Sequence, residues 1–349
     1  MTAVKSRAPA PLPAAPLGTT RPHTPLESLP TSAHTPLEAP PWVLRRLSWV
    51  FFALTVVTWC QIAFGGLVRG EQAGLSCPDW PLCHGALVPD LRLEGVVYEY
   101  GHRVFATVVS AVYVLGAYLG LREASVRRRF GRALLGLGAL LLVQAVMGGL
   151  TVLLVHRGDG FPRPETWTVV VHLVLGNTFA LLALLLALRF RALARGVPWW
   201  STGGAPRGAR WVVGVFDLAL ALQVIVGGTI AGSLRGMACA EFPTCNGGRF
   251  FPTLDGWVGA QLLHRGNGVV LLALGGFLAW RLRGRGLPGT AAAMLPWLLL
   301  GQVALGALNI WTHLKPGVTA LHSLGAALLL STAGVMTASL LGARGPAEA

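Results

Sequence analysis

Charged residues are scarce in this chain. Only 12% of its 349 residues are charged, 53% are hydrophobic, and the mean hydropathy is +0.60. Soluble domains carry about 25% charged residues, so the composition excludes an ordinary soluble fold. The net charge of +14 does not indicate a nucleic-acid-binding protein, because the arginines lie in short clusters between apolar stretches and form no continuous basic face. The composition therefore indicates a protein of the lipid bilayer.

No cleavable signal peptide is expected from the sequence. The first apolar run begins beyond residue 45 and is long enough to span a bilayer, so we expect it to act as an uncleaved insertion signal. Residues 1–42 contain ten of the 23 prolines and no apolar core. We therefore predict that residues 1–44 form a disordered cytoplasmic tail.

Long apolar stretches are abundant, and they predict an all-α polytopic membrane protein. A membrane-spanning helix needs about 20 apolar residues, and lipid offers no hydrogen-bond partners to a backbone that is not helical. Eight stretches meet that length: 47–68, 97–120, 133–155, 166–188, 211–233, 257–280, 291–312 and 318–341.

The basic residues predict the orientation of these helices. Cytoplasmic loops of membrane proteins carry an excess of Lys and Arg, and 19 of the 28 basic residues here lie in the N-terminal tail, after every even-numbered helix and at the C-terminal end. Both termini are therefore expected in the cytoplasm, and the connections after odd-numbered helices on the outer face. The localisation that follows is the cell (inner) membrane.

One passage of the sequence occurs twice, 162 residues apart. Cys77-Pro-Asp-Trp-Pro-Leu-Cys83 is followed by His102-Arg103, and Cys239-Ala-Glu-Phe-Pro-Thr-Cys245 is followed by His264-Arg265. A repeat of this length predicts two copies of one four-helix bundle in the same orientation. We place the bundles at 45–195 and 211–343, with a cytoplasmic linker at 196–210 and a tail at 344–349.

Each predicted bundle contains two intramembrane histidines near the outer ends of its helices: His102 with His172, and His264 with His322. Histidines inside a membrane are functional by default. Two facing imidazoles can supply both axial ligands of a haem iron. The alternatives are polar contacts between helices or a zinc site, and zinc is disfavoured because each half lacks a third ligand at that depth.

Residues next to the histidines differ between the two copies. Arg103 and Arg265 follow the histidines, and each is interpreted either as a partner of a haem propionate or as a snorkelling arginine at the interface. Glu99 lies on the same helix face as His102, whereas the equivalent position in the second copy is Gln261. The carboxylate can stabilise positive charge or move a proton, or it can simply pair with Arg103. This asymmetry predicts chemistry in the first half and a fixed cofactor in the second.

The outer cysteines are predicted to form the disulfides Cys77–Cys83 and Cys239–Cys245, because both pairs face the oxidising side. Their role is interpreted as a structural clip or as redox or substrate handling. Cys60 has no evident partner and is predicted to be a buried apolar residue. Asp217, an intramembrane acid in helix 5, has no repeat partner and no assigned role.

Together, the eight helices, the Glu99-Tyr-Gly-His102-Arg103 motif, the four histidines and the two Cys-x5-Cys loops resemble the haem A synthase family over residues 45–342. The resemblance implies oxidation of the haem O methyl group to the formyl group of haem A by successive hydroxylations with oxygen from water. It further implies haem b on His264 and His322, haem O as substrate on His102 and His172, and Glu99 as the catalytic acid residue. In the family, Cys77 and Cys83 are tied to activity, whereas the second cysteine pair is not universal.

The resemblance also suggests partners: haem O synthase, assembly factors of cytochrome oxidase, and a second copy of this chain as a homo-oligomer. The main alternative is a di-haem cytochrome b that carries electrons without modifying haem. A haem carrier is disfavoured because no ATP-binding motif is present, and prenylation of haem because no Asp-rich diphosphate-binding loop is present.

Overall fold

The computed structural model of this protein describes residues 39–158, 162–197, 206 and 208–342. Nearly all regular structure in these ranges is helical. Eight long helices follow one another along the chain: α1 Pro41–Gly70, α2 Val96–Arg122, α3 Ala124–Leu153, α4 Thr166–Ala194, α5 Ala209–Gly232, α6 Gly256–Arg281, α7 Leu287–Trp311 and α8 Pro316–Leu341.

Each of the eight helices is long and apolar enough to cross a membrane. The predicted all-α multi-pass membrane fold is thereby confirmed. The orientation in the membrane and the duplication into two bundles stay predictions. The predicted tail and most of the linker fall outside the described residues, except that α1 begins at Pro41, within the predicted tail. A proline suits this first turn, because its missing N–H has no partner there in any helix.

Two helices, α3 and α4, extend further than hydropathy predicted, at the ends expected to lie in the cytoplasm. α3 begins at Ala124 and α4 ends at Ala194, whereas the apolar stretches ran over 133–155 and 166–188. The arginine-rich connection after helix 2 is therefore mostly the first turns of α3, preceded by a single non-helical residue, Glu123. Hydropathy marks only the part of a helix in lipid, and arginine is a good helix former beyond it.

α1 is a central helix and packs along α2, α4 and α8. Its contact with α8 is close because the contacting positions on α1 are glycines. A Cβ atom on Gly66 would lie 3.0 Å from Ala320 Cα, and one on Gly70 would lie 2.6 Å from Pro316 Cα. Small residues at such crossings let two helix backbones approach in a membrane, where packing drives association.

Buried apolar side chains form two main clusters. One lies within α1–α4 and includes Phe51, whose ring centroid is 5.7 Å from that of Phe190. The other lies within α5–α8 around Phe216 and includes Leu184 of α4. Cys60 belongs to neither cluster, because it is exposed on the surface of α1. The prediction that Cys60 is buried is therefore wrong, since an apolar residue of a membrane helix is as stable against lipid as in a core.

The connections after α1, α3 and α5 are held by local pairing. The α1–α2 and α5–α6 connections carry the cysteine pairs, and isolated bridges join Cys83 to Ala86 and Asn246 to Arg249. The α3–α4 connection contains a small antiparallel ribbon of β1 Val155–His156 and β2 Arg163–Pro164. Two residues per strand are too few to leave an alternating pattern in the sequence, so this ribbon was not predicted.

Candidate active site

The four intramembrane histidines lie at one end of the helix assembly and at similar depth. His102, His172 and His322 each follow the first residue of their helix by six positions, and His264 follows it by eight. At 1.5 Å rise per residue, the imidazoles are about 9–12 Å below the helix ends.

The two histidines of each predicted pair lie within electrostatic range of each other: His172 of His102, and His264 of His322. The Nδ1 atoms of His172, His264 and His322 are buried and have no hydrogen-bond partner. Within the described residues no three His, Cys, Asp or Glu side chains gather as a metal cluster. Paired imidazole nitrogens without a third ligand fit the axial positions of haem iron and not a zinc site.

Each histidine contacts a glutamine of the preceding helix. Two of these contacts reach the histidine backbone: Gln61 Nε2 donates to His102 O at 2.9 Å, and Gln302 Nε2 donates to His322 O at 3.1 Å. Neither glutamine was predicted as a site residue from the sequence. The position of these glutamines within apolar spans could have indicated a role, because burying a glutamine side chain costs free energy unless it is hydrogen-bonded.

The other two glutamines contact imidazole rings. Gln144 Nε2 lies 3.4 Å from His172 Nε2, and Gln223 Nε2 lies 3.4 Å from His264 Nε2. Gln61 Nε2 also lies 3.1 Å from both ring nitrogens of His102. Every histidine of the candidate site therefore has an amide beside it.

Four residues after each glutamine, a glycine lies against the same imidazole. A Cβ atom would approach the histidine Cε1 to 3.2 Å at Gly65, 3.1 Å at Gly148, 2.7 Å at Gly227 and 3.7 Å at Gly306. A side chain at the first three positions would displace the ring. The Gln-x3-Gly pattern thus makes room for a histidine on the next helix and offers it an amide.

The surroundings of the two equivalent histidines His102 and His264 differ. The His102 ring makes an edge contact with Phe64, with centroids 5.9 Å apart. On the His264 side, Asn267 Nδ2 donates to Gln223 Oε1 and to Ala219 O, both at 2.8 Å. The first site is therefore lined by an aromatic ring, whereas the amide at the second is fixed by a hydrogen-bond chain.

Glu99 joins the first histidine helix to the first disulfide loop. It is only 5% exposed, its Oε1 lies 2.6 Å from Arg103 Nη2, and its Oε2 accepts the Cys77 N–H at 2.7 Å. The Cys77–Cys83 disulfide is present, as predicted. Charge-assisted bonds of this kind are the strong ones, so the loop is held firmly over the first site.

Arg103 holds the same loop through its carbonyl groups. Nη1 donates to Asp79 O at 2.8 Å and to Leu82 O at 2.6 Å, and Nη2 donates to Cys77 O at 3.2 Å. With the bond to Glu99, four of the five guanidinium N–H groups are used. The propionate contact stays a prediction that rests on the Nε N–H of this residue.

The second disulfide loop, closed by Cys239–Cys245 as predicted, is held differently. Gln261 Nε2 donates to Gly236 O at 2.5 Å, and Arg265 donates to Thr244 O at 2.9 Å and to Cys239 O at 3.0 Å. The anchor is a neutral amide with a guanidinium. Arg265 thus uses two of its five N–H donors on the loop and has more of them for an anion than Arg103 has.

Each loop also contains its own carboxylate. Asp79 accepts the backbone N–H groups of His84 at 2.7 Å and Gly85 at 2.8 Å, and Glu241 accepts that of Gly248 at 2.9 Å. These hydrogen bonds lower the pKa of both carboxyl groups. The largest contribution comes from the Gly85 N–H for Asp79 and from the Gly248 N–H for Glu241. Both side chains are therefore ionised at neutral pH and brace their loops.

An aromatic residue of each loop covers the end of a neighbouring helix. A Cβ atom on Gly149 of α3 would lie 2.8 Å from the Trp80 indole, so this ring rests on the α3 backbone. In the other loop, the Phe242 ring centroid lies 5.9 Å from that of Trp311 and 5.6 Å from the Arg265 guanidinium carbon. The loops thus close the two histidine sites from above.

Asp217 lies away from the histidines, towards the other end of α5. Its Oδ2 accepts a hydrogen bond from Thr337 Oγ1 of α8 at 2.8 Å. This contact joins α5 to α8. It gives the intramembrane acid a structural partner that the sequence did not reveal.

Fold and site together define a polytopic α-helical membrane protein with two pairs of histidines in its helices and two disulfide-closed loops. The model of the cytochrome oxidase assembly protein family (COX15-CtaA) matches residues 45–95 and 92–333. The chain therefore belongs to this family, the haem A synthase family.

Individual relatives agree with the family match. Heme A synthase of Shewanella oneidensis is 27% identical over 326 residues, covering 82% of this chain and 94% of the relative. Heme A synthase of Alkalihalophilus pseudofirmus is 28% identical over 280 residues, covering 78% and 90%. Heme A synthase of Methylorubrum extorquens is 34% identical over 193 residues, covering 51% and 45%.

Proposed function

We propose that this protein is a haem A synthase, a membrane oxidoreductase that converts the methyl group of haem O to the formyl group of haem A. Successive hydroxylations take oxygen from water and pass electrons to an acceptor. The observation that carries the proposal is that two histidine pairs share one design, but only the first has a carboxylate, Glu99, one turn from its histidine. Family membership and relatives named Heme A synthase support it.

The C-terminal pair, His264 and His322, would hold haem b, which supplies one-electron redox chemistry when bound. The hydrogen-bond chain from Asn267 through Gln223 to His264 supports this assignment, because a permanent ligand gains from a fixed orientation. Arg265, with donors beyond those that bind the loop, is the better placed of the two arginines to pair with a propionate.

The N-terminal pair, His102 and His172, would hold haem O as substrate. Glu99 is buried and held by Arg103 and by the Cys77 N–H, so its negative charge is fixed in a region of low dielectric. There it can stabilise positive charge that develops on the substrate during oxidation. Removal of that charge is expected to affect the reaction more than the binding of haem.

The setting of the reaction is the cell membrane, with both termini in the cytoplasm and the disulfide loops outside. The positions of the arginine clusters support this orientation. The proposed partners are haem O synthase, which would supply the substrate, assembly factors of cytochrome oxidase, which would take the product, and a second copy of this chain.

Haem extraction tests the proposal. The protein is produced in cells that make haem O but no haem A, and the extracted haems are separated by chromatography. Haem A is expected with the unmodified chain, and none with His102→Ala. Haem b is expected to stay with His102→Ala and to be lost with His264→Ala. His156→Ala, in the β1–β2 ribbon, is the matched control. Two haem b per chain and no haem A from the unmodified protein would show an electron-transfer cytochrome instead.

A further inference from the structure

We propose that Gln61, Gln144, Gln223 and Gln302 are positioning residues that set the orientation of the four haem-ligating histidines. The inference rests on the proposed function and adds a component to it. The sequence Gln-x3-Gly occurs once in each odd-numbered helix, α1, α3, α5 and α7, and each copy faces a histidine of the following helix.

The glycines show that this pairing serves the histidines in particular. In all four copies the glycine backbone is the surface against which the imidazole Cε1 packs, at Cβ-equivalent distances of 2.7 to 3.7 Å. The glutamine one helical turn earlier then lies beside the same ring or the same backbone carbonyl. If the glutamines only joined neighbouring helices, they would not need to occur beside all four imidazoles, each four residues before a glycine.

The reverse arrangement strengthens the argument. One turn after three of the histidines, a glycine makes room for the glutamine: a Cβ on Gly176 would lie 2.9 Å from Gln144 Nε2, one on Gly268 would lie 3.7 Å from Gln223 Nε2, and one on Gly325 would overlap Gln302 Oε1. Gln144, Gln223 and Gln302 therefore each lie against a glycine of the histidine helix. This packing fixes the rotation of the glutamine helix and of the histidine helix about their axes, and their relative height.

Buried polar atoms without hydrogen-bond partners indicate the role of the glutamine amides. The buried Oε1 atoms of Gln61, Gln144 and Gln302 have no hydrogen-bond partner, and neither do the buried Nδ1 atoms of His172 and His322. Buried polar atoms without partners are rare, and each one requires an explanation. A histidine that gives one ring nitrogen to a metal donates its other N–H to a nearby oxygen, which fixes the tautomer. The glutamine oxygen is the acceptor that the neighbouring amide offers.

Gln223 differs from the others in a way that fits its site. Its oxygen already accepts the Asn267 side-chain N–H at 2.8 Å, so this amide is itself held in place. The equivalent of Asn267 in the first half is Phe105, which packs on Phe64 with centroids 6.4 Å apart. The amide beside His264 is thus held by a second side chain, whereas the equivalent amide beside His102 has no such partner among the described residues.

The test uses the intact protein purified with its haem b. Gln302→Met keeps the length of the side chain and removes the amide. We expect this variant to retain its helical fold, to hold haem b about 10–100-fold more weakly against a soluble apoglobin acceptor, and to show changed principal g values of the ferric low-spin haem. Those g values respond to the orientation of the axial imidazoles, which a merely structural residue would not move. Gln302→Glu, which retains a hydrogen-bonding group, is expected to restore much of the signal.

The matched control is Asn177→Leu, which removes a buried amide that donates to its own helix at Leu173 O and touches no histidine. Its haem retention and g values should equal those of the unmodified protein. If Gln302→Met does not accumulate, Gln302→Asn, with an amide one methylene shorter, takes its place with the same expected changes. Unchanged haem retention and g values in the variant overturn the inference alone. An unmodified protein that binds no haem b overturns the proposed function and the inference with it.

Discussion

Glu99 and Arg103 form an ion pair one helical turn apart on α2, with Oε1 and Nη2 separated by 2.6 Å, and the second Glu99 oxygen accepts the Cys77 N–H. The carboxylate proposed to act on the bound substrate is therefore also an anchor of the loop that covers it. In the first half, Glu99 therefore serves both the proposed chemistry and the anchoring of the loop. In the second half, Gln261 is an anchor without charge.

This difference predicts the effect of Glu99→Gln. The amide keeps the size of the side chain and removes its charge, so we expect haem A formation to fall by about 10²–10³-fold, the range seen when one charge-stabilising group is removed. Haem b content and disulfide formation should stay unchanged. Haem chromatography and thiol labelling measure the three quantities. Gln261→Leu, which removes the neutral anchor of the other loop, is the control and should leave most haem A formation intact. Full activity of Glu99→Gln would show that the carboxylate has only an anchoring role.

Arg103→Met tests the anchor itself. The substitution leaves the buried Glu99 carboxylate without its cationic partner, and breaking a buried pair in this way costs about 3–5 kcal/mol. We expect a fall of that size in the free energy of unfolding, measured in detergent, together with faster proteolysis of the loop. The matched control is Arg92→Met, because Arg92 pairs with Asp90 on the surface and its side chain is 91% exposed. Exposed pairs contribute about 0–1 kcal/mol. Equal losses in the two variants would contradict a special role for Arg103.

The main elements of this fold could be predicted from sequence because lipid imposes strong rules. Eight apolar stretches predicted the eight helices, and the common depth of the histidines led to the predicted pairs His102–His172 and His264–His322. Hydropathy could not show which apolar residues are buried, since lipid and core favour the same side chains, and Cys60 was misplaced for that reason.

The contacts that organise the site were harder to predict. Gln61 and Gln223 lie on odd-numbered helices that contain no ligand, and their roles depend on the rotation of each helix about its axis. Arg103 was interpreted as facing a propionate or the interface, whereas four of its N–H groups bind the loop and Glu99. Such hydrogen bonds depend on a loop conformation that no periodic pattern encodes.

The glycines beside the imidazoles give a graded prediction at the proposed haem b site. A Cβ at Gly227 would lie 2.7 Å from His264 Cε1, whereas a Cβ at Gly306 would lie 3.7 Å from His322 Cε1. Gly227→Ala must therefore displace its histidine, and we expect loss of most haem b. Gly306→Ala adds only an ordinary van der Waals contact and should retain it. The haem to protein ratio after purification measures both. Similar haem content in the two variants would mean that the histidine rings do not rest on these glycines when haem is bound.

The acid response of the first disulfide loop follows from Asp79. Backbone hydrogen bonds from Gly85 and His84 lower the pKa of this carboxyl below its ordinary value of 3.8, so its ionised form stabilises the folded loop. The stabilisation is present above pH 3.8 and is lost as the pH falls through the lower pKa of the folded state. Mass spectrometry can measure how fast a phosphine reduces the Cys77–Cys83 disulfide. We expect this reduction to become faster as the pH falls below 3.8.

In the variant Asp79→Asn this acceleration should be absent, because the amide does not titrate. The Cys239–Cys245 bond of the same variant should still respond, since Glu241 braces that loop and its pKa is lowered from a higher ordinary value of 4.5. If the first loop of the Asp79→Asn variant shows the same acid response as that of the unmodified protein, groups other than this carboxylate stabilise it.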